Sequence, residues 1–331
     1  MTAPTPDPTL DEMIERSDLD GLTRRVDALT EARAWPELLD LRDRCRAALE
    51  RGRQLWPIAS HIEYRLALEG DARHAAAVLV DGTGHLALGP LPEVAAARHT
   101  WAELEPWIEV GAPSTFCAHE RVVRGEDLTS SDAIDRNLLD LPLVLQPWEP
   151  AYPVATYHAE RYEAPPPNLQ PVEPVQLPEP GREEADPDVT VALADLVRTW
   201  TTESNGRAEA IAVVGDAPAA LATLGLATAR MAEISLADAM AAMAWAAASG
   251  GAHGRRRGMA AGRFGAWWAL AALTGLADDW PVPPRELGRA GRELRWFLWD
   301  PGAPQVGWSL NLAVDDPVDS VAWALTANDL D

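Results

Sequence analysis

Lysine is absent from this 331-residue chain, so all 28 cationic side chains are arginine. That removes every lysine-directed modification and any Gly-Lys-Ser/Thr phosphate loop. Arginine codons are GC-rich and alanine is abundant too, the composition of a high-GC bacterial genome. There are only two cysteines, Cys45 and Cys117, too few for a disulfide framework. No apolar run approaches the roughly 18–20 residues that cross a bilayer. The start, Met1–Thr9, has neither a basic nor an apolar leader region. These absences lead to the expectation of a cytoplasmic protein without a membrane partner.

The motifs of common chemistries are missing as well. There is no Gly-x-Ser-x-Gly and no His-Glu-x-x-His, and no two His or Cys residues stand at metal-ligand spacing. No cofactor or metal is expected, and the reading leans away from an enzyme. Cys117-Ala118-His119-Glu120 brings a thiol, an imidazole and a carboxylate together, but a buried cysteine and a surface histidine on one helix explain it. Gly82-Thr83-Gly84-His85-Leu86-Ala87 has the glycine spacing of a dinucleotide turn, yet Gly89-Pro90 and Pro92 break the helix such a turn must open.

What the chain does have is acidity. Its formal net charge is −23, which repels nucleic acid and anionic membranes, although an acidic protein can also imitate a nucleic-acid backbone. The charge is uneven. Gly251–Arg295 carries 8 arginines against 4 acidic residues, whereas Trp296–Asp331 carries 6 acidic residues and no arginine. A positive island in so acidic a chain is its sharpest asymmetry.

Proline divides the chain. Residues 146–188 hold 11 prolines, 9 acidic residues and 2 arginines. Each proline fixes φ and removes a backbone donor, so this stretch reads as an extended connecting segment between a helical part, 1–145, and an α+β part, 189–331. Trp148, Tyr152, Tyr157 and Tyr162 predict that 148–162 is docked on a folded surface; Ala164–Asp188 reads as looser.

The first part reads as stacked helical hairpins, in the manner of an α-solenoid. Thr9 with Glu12 and Thr100 with Glu103 make capping boxes. Trp35-Pro36 and Trp56-Pro57 open two helices with proline in the first turn. Asp71–Val80 is read as a further helix, the alternative being a strand Ala76–Val80 that turns through Asp81-Gly82 into His85–Leu88, and Pro113–Val123 as another helix. In the third part helices are expected at Asp188–Glu203, Pro218–Leu224, Ser235–Ser249, Arg256–Leu273 and Pro284–Glu293. Strands are expected at Ala208–Val214, Ala229–Ile234, Arg295–Trp299 and Val306–Val314, the last two forming a hairpin around Asp300–Pro304. A final helix is read from Asp316-Pro317 through Val321, Trp323 and Leu325. The predicted fold is mostly α with a smaller α+β part, its C-terminal helices packed on a small sheet.

One stretch carries a candidate site. Gly250–Gly254 followed by Arg255-Arg256-Arg257 combines glycines, which let a backbone approach a ligand, with arginines suited to carboxylate or phosphate, at the start of a helix. The candidate residues are Gly251, His253, Gly254, Arg255, Arg256, Arg257 and Arg263. The leading reading is a non-enzymatic interaction protein whose arginine-rich turn contacts an acidic or anionic protein partner. The alternative is an enzyme or sensor holding a phosphorylated small molecule at Gly251–Arg263; a third is an acidic nucleic-acid mimic. The plain alternative is a tight interhelix turn whose arginines pair with the chain's own carboxylates.

Overall fold

The computed structural model describes residues 9–168, 172–302 and 307–330. The fold is mostly helical with a smaller α+β part. It divides into two compact units.

The first unit comprises the chain as far as Arg121 together with Ser131–Asp135 and Thr156–Glu163. Its helices are α1 (Leu10–Arg16), α2 (Leu19–Glu31), α3 (Trp35–Glu50), α4 (Trp56–Glu69), α5 (Ala72–Ala76), α6 (Leu91–Ala96), α7 (Trp101–Leu104) and α8, which begins at Ala112. The capping boxes of Thr9 and Thr100 form as their sequences require, and α3 and α4 both begin Trp-Pro. Successive helices α2, α3 and α4 pack on one another, burying Leu22, Val26, Leu38, Leu41, Ile62 and Leu66. Asp71–Val80 is helical only over α5, after which the chain turns. Among the described residues no strand precedes Gly82, and the Gly84 N–H donates to the buried Glu63 carboxylate at 2.7 Å. That geometry is a loop anchored to a helix rather than a dinucleotide turn.

His119 corrects the expectation of a surface histidine: it is 1% exposed, beside fully buried Cys117. The cause is that α8 buries Ser114, Thr115, Ala118 and Glu120 as well, so it is enclosed around most of its circumference and offers no solvent face there.

Tyr157 and Tyr162 lie in a short hairpin of this unit, β1 (Thr156–Tyr157) with β2 (Tyr162–Glu163). The Tyr157 hydroxyl donates to Glu93 at 2.6 Å, where both are buried. A Cβ on Gly89 would collide with the Tyr157 ring.

The second unit comprises Val122–Ser130, Arg136–Ala155 and the chain from Ala164 onward. The expected connecting segment, 146–188, is therefore shared between the two units. Its later half is not a loose tether. It supplies β3 (Glu173–Gln176) and β4 (Arg182–Glu183), while Leu169–Pro171 lie outside the described residues. These are followed by α9 (Pro187–Asp195), α10 (Arg198–Thr202), β5 (Arg207–Val214), α11 (Ala217–Thr223), β6 (Thr228–Ile234), α12 (Leu236–Ala248), α13 (Met259–Leu273), α14 (Pro284–Glu293), β7 (Arg295–Asp300), β8 (Trp308–Asp316) and β9 (Val321–Asp329).

Seven strands form one antiparallel sheet in the order β3-β6-β7-β8-β9-β5-β4. The two strands from the proline-rich segment are its edges, the positions where a proline such as Pro174 is tolerated. Helix α11 packs on a cluster containing Val213, Met231, Phe297, Trp299, Ala313 and Ala324. Alternation places Trp296, Leu312, Trp323 and Leu325 on the opposite face, where α9 and α12 contact the sheet and the Trp323 indole donates to Asp186 at the start of α9 at 2.9 Å.

Three expectations need correction. The helix read through Val321, Trp323 and Leu325 is strand β9; Asp316-Pro317 opens a tight turn, and β9 pairs along its length with β8 and β5. The single helix Asp188–Glu203 is two, α9 and α10. Helix α13 begins at Met259 rather than Arg256, because Gly258 at its N-cap has φ +92°, so the three arginines precede the helix instead of forming its first turn. The β7–β8 hairpin forms as read, with residues 303–306 of its turn outside the described residues.

Candidate functional site

The arginine-rich turn joins α12 to α13. These helices can approach closely because small residues meet: a Cβ on Gly262 would collide with the Ala244 carbonyl. The turn is drawn tight by its own glycines. Gly251 has φ +70°, where an L side chain is strained, and any Cβ there would collide with Asp329 Oδ2; Gly250 and Gly254 are pressed against each other's backbone.

Several of the turn's backbone donors are spent within the fold. Ala252 N–H donates to Asp329 Oδ2 at 2.6 Å, His253 N–H to Ser204 Oγ at 3.1 Å and Arg255 N–H to Glu203 Oε2 at 3.2 Å. Arg257 N–H donates to the Ala248 carbonyl at 2.8 Å. Beneath the turn, the Trp200 indole donates to Ser249 Oγ at 2.8 Å, and Trp200, Trp245 and Trp308 form a cluster with Trp245 and Trp308 stacked at 5.1 Å. Four amides of the turn are thus met by the fold itself, while Asp329 Oδ1 is buried without a hydrogen-bond donor among the described residues.

The candidate residues separate into four placements. Gly251 and Gly254 shape the turn. His253, Arg255 and Arg257 are exposed on its outside, whereas Arg256 is turned inward and is 7% exposed. Arg263 is elsewhere, one turn into α13, where its side chain is fully buried.

Arg263 forms a bidentate pair with Glu149, Nε to Oε2 at 2.7 Å and Nη2 to Oε1 at 2.8 Å, and its Nη1 donates to the Pro142 carbonyl at 2.9 Å. Glu149 also accepts from the Trp267 indole at 2.9 Å, the Tyr152 hydroxyl at 2.7 Å and the Gln146 N–H at 2.9 Å. Burial alone pushes the Glu149 carboxyl up, but the guanidinium and these donors outweigh it and hold the group below the usual carboxylate range. Alongside, Trp148 packs on Trp267 at 4.8 Å and donates to the Pro284 carbonyl at 2.9 Å. A Cβ on Gly288 would collide with its ring. The network fastens residues 142–152 to α13 and α14, and Arg263 is a structural residue within it.

Sequence reasoning missed Glu149, Glu203 and Asp329 as the partners of this region. The available signal was Arg263 itself, a lone charge in the otherwise uncharged stretch Met259–Leu273, which demands a buried counter-ion. Its location in the chain was not readable. Cys45, the other candidate nucleophile by residue type, is fully buried in α3, and burial pushes its thiol up to about 11, which leaves no reactive thiolate near neutral pH. Among the described residues no three His, Cys, Asp or Glu side chains converge as metal ligands, and no helix is long and apolar enough to cross a membrane.

No curated protein and no solved structure matches the chain. A family model does match, over residues 20–331, so the chain belongs to the family of unknown function DUF6183.

Proposed function

We propose that this chain is a non-enzymatic, cytosolic interaction protein, and that the cationic rim of its α12–α13 turn, His253, Arg255 and Arg257, meets an acidic or anionic surface on a protein partner. The observation that carries this reading is the division of labour within the turn. Its amides already serve Asp329, Glu203 and Ser204, while its outer side chains are exposed in a chain of net charge −23. A phosphate held by converging backbone N–H groups needs those donors, and the carboxylates of Asp329 and Glu203 would repel it. An extended acidic surface needs only the outward guanidinium groups, which give bidentate contacts to carboxylates. The cytosolic assignment rests on Cys45 and Cys117 forming no disulfide.

The test is a paired capture from native lysate with the wild-type chain and with Arg255→Glu/Arg257→Glu. The expected result is a salt-sensitive partner lost from the variant at unchanged melting temperature. An identical captured set would sink the reading. A parallel thermal-shift panel of phosphorylated metabolites should leave the wild type unmoved; saturable stabilisation would favour a small-ligand site, since a ligand at a hundredfold excess over Kd contributes about 2.7 kcal/mol.

A further inference from the structure

At one end of the seven-stranded sheet, remote in sequence from the arginine turn, a cleft of about 450 Å³ is bounded by the start of β7, the end of β8, the β8–β9 turn and the link from β5 to α11. Its charged lining is lopsided: Glu179, Asp216, Asp315 and Asp316 face one guanidinium, that of Arg295. Acidity alone would be unremarkable on this protein. Asp315 makes the difference. It is 3% exposed and lines the cleft. Its Oδ2 accepts the Ala217 N–H at 3.3 Å, but its Oδ1 is buried without a hydrogen-bond donor among the described residues. A buried carboxylate oxygen without a partner is costly, and native folds rarely leave one unless something else meets it.

The neighbours indicate what that something is. Asp216 uses Oδ1 to cap the Ala219 N–H at 3.0 Å, and Asp316 uses Oδ1 on the Val318 N–H at 2.7 Å. Each of these two aspartates therefore commits one oxygen to the local backbone while lining the cleft. The chain's own cation reaches the cluster only in part. Arg295 is held by Glu233 at 2.8 Å and lies 5.0 Å over the Phe297 ring, so its Nη1 stops 3.8 Å from Asp315 Oδ2 and its side chain stays half exposed. The cluster already attracts a guanidinium at its mouth and has carboxylate oxygens to spare beyond it.

We propose that this cleft binds a small organic cation carrying an ammonium or guanidinium group, with Asp315 as the inner carboxylate and Asp216 and Asp316 as the outer ones. The volume suits a small molecule. A cation that brings several N–H donors fits three separate carboxylates better than a bare ion, which needs ligands converging on a point. Asp315 supports the assignment in a second way. Burial, with the charges of Asp216 and Glu233, holds its carboxyl above the usual range against the opposing Ala217 N–H and Arg295, so an added cation stabilises the ionised form.

The experiment is calorimetric titration of the full chain with agmatine and with putrescine at fixed ionic strength, using 1,4-butanediol as the uncharged control. At least one cation should bind saturably and the diol should not. Asp315→Asn preserves shape and should weaken binding about tenfold or more, the worth of one charged hydrogen bond. Asp216→Asn, which keeps an N-cap residue, supplies the same test if Asp315→Asn does not fold, and should weaken binding several-fold. Asp188→Asn, in the neighbouring acidic groove, should leave affinity unchanged. Absence of saturable binding at millimolar cation, or equal binding by wild type and whichever cleft variant folds, would overturn the proposal.

Discussion

Arg257 and Arg263 lie close together in the chain and fall within one positive island of the sequence, yet they occupy opposite environments. Arg257 is exposed on the outside of a turn whose Ala252, His253 and Arg255 amides are engaged by the fold. Arg263 is fully buried, locked to Glu149 and two backbone carbonyls. Local charge therefore does not separate a cation that holds the protein together from one that can meet another molecule. Desolvation does. A buried charge has to be matched by fixed partners of the same chain, whereas an exposed one costs little to leave available.

The sharpest way to break this comparison is to remove one side of the buried pair. Arg263→Ala, or Glu149→Ala, should destabilise the chain by about 3–5 kcal/mol, since each leaves an uncompensated charge inside, and urea denaturation measures it. The double replacement Arg263→Ala/Glu149→Ala should cost clearly less than the sum of the two single changes; strict additivity would show that the pair is not coupled. Next comes the turn's backbone. Gly251→Ala should cost about 1–3 kcal/mol through its left-handed φ, with the Asp329 contact disturbed as well. If the turn were a loose solvent loop the cost would vanish.

Acidification sharpens the contrast in another way. The Glu149 carboxyl is held below its ordinary value, so its contribution is fully present above the unfolded value of about 4.3. It is lost as pH falls through the lower folded value. The stability gap between wild type and Glu149→Gln should therefore be constant near neutrality and shrink only below about pH 4.3. A gap that widened on acidification would mean the carboxyl is protonated in the native state. The smallest effect is expected at the turn's surface: Arg257→Glu should change stability by no more than about 0.5 kcal/mol, while removing partner capture if the proposed function is right.

Local chemistry made much of the fold legible. Capping boxes at Thr9 and Thr100, and Trp-Pro at Trp35 and Trp56, are short-range devices, and helices α1, α3, α4 and α7 begin where they indicate. Strand β9 was not legible for a physical reason. Ala322-Trp323-Ala324-Leu325 is buried on both faces of an interior strand, which removes the polar alternation that marks a half-exposed strand, and its alanines favour helix locally. Strands β3 and β4 were hidden by prolines, which suit only sheet edges; the edge exists only once β6 and β5 are in place. In the candidate site the glycines and arginines of the turn were visible from the first, while Glu149 and Asp329, far away in the chain, were not.

By itself the sequence determined where several helices start, α1, α3, α4 and α7 among them, that the fold is mostly α with a smaller α+β part, and that one positive island interrupts an acidic chain. These follow from interactions a few residues long. Only the tertiary structure decided which arginine of that island is buried, why Gly251 has to be glycine, and that Asp315 lines a cleft with an oxygen to spare. Each of those depends on burial and on partners distant in the chain, and a charge has no fixed cost until the fold sets how much water it keeps.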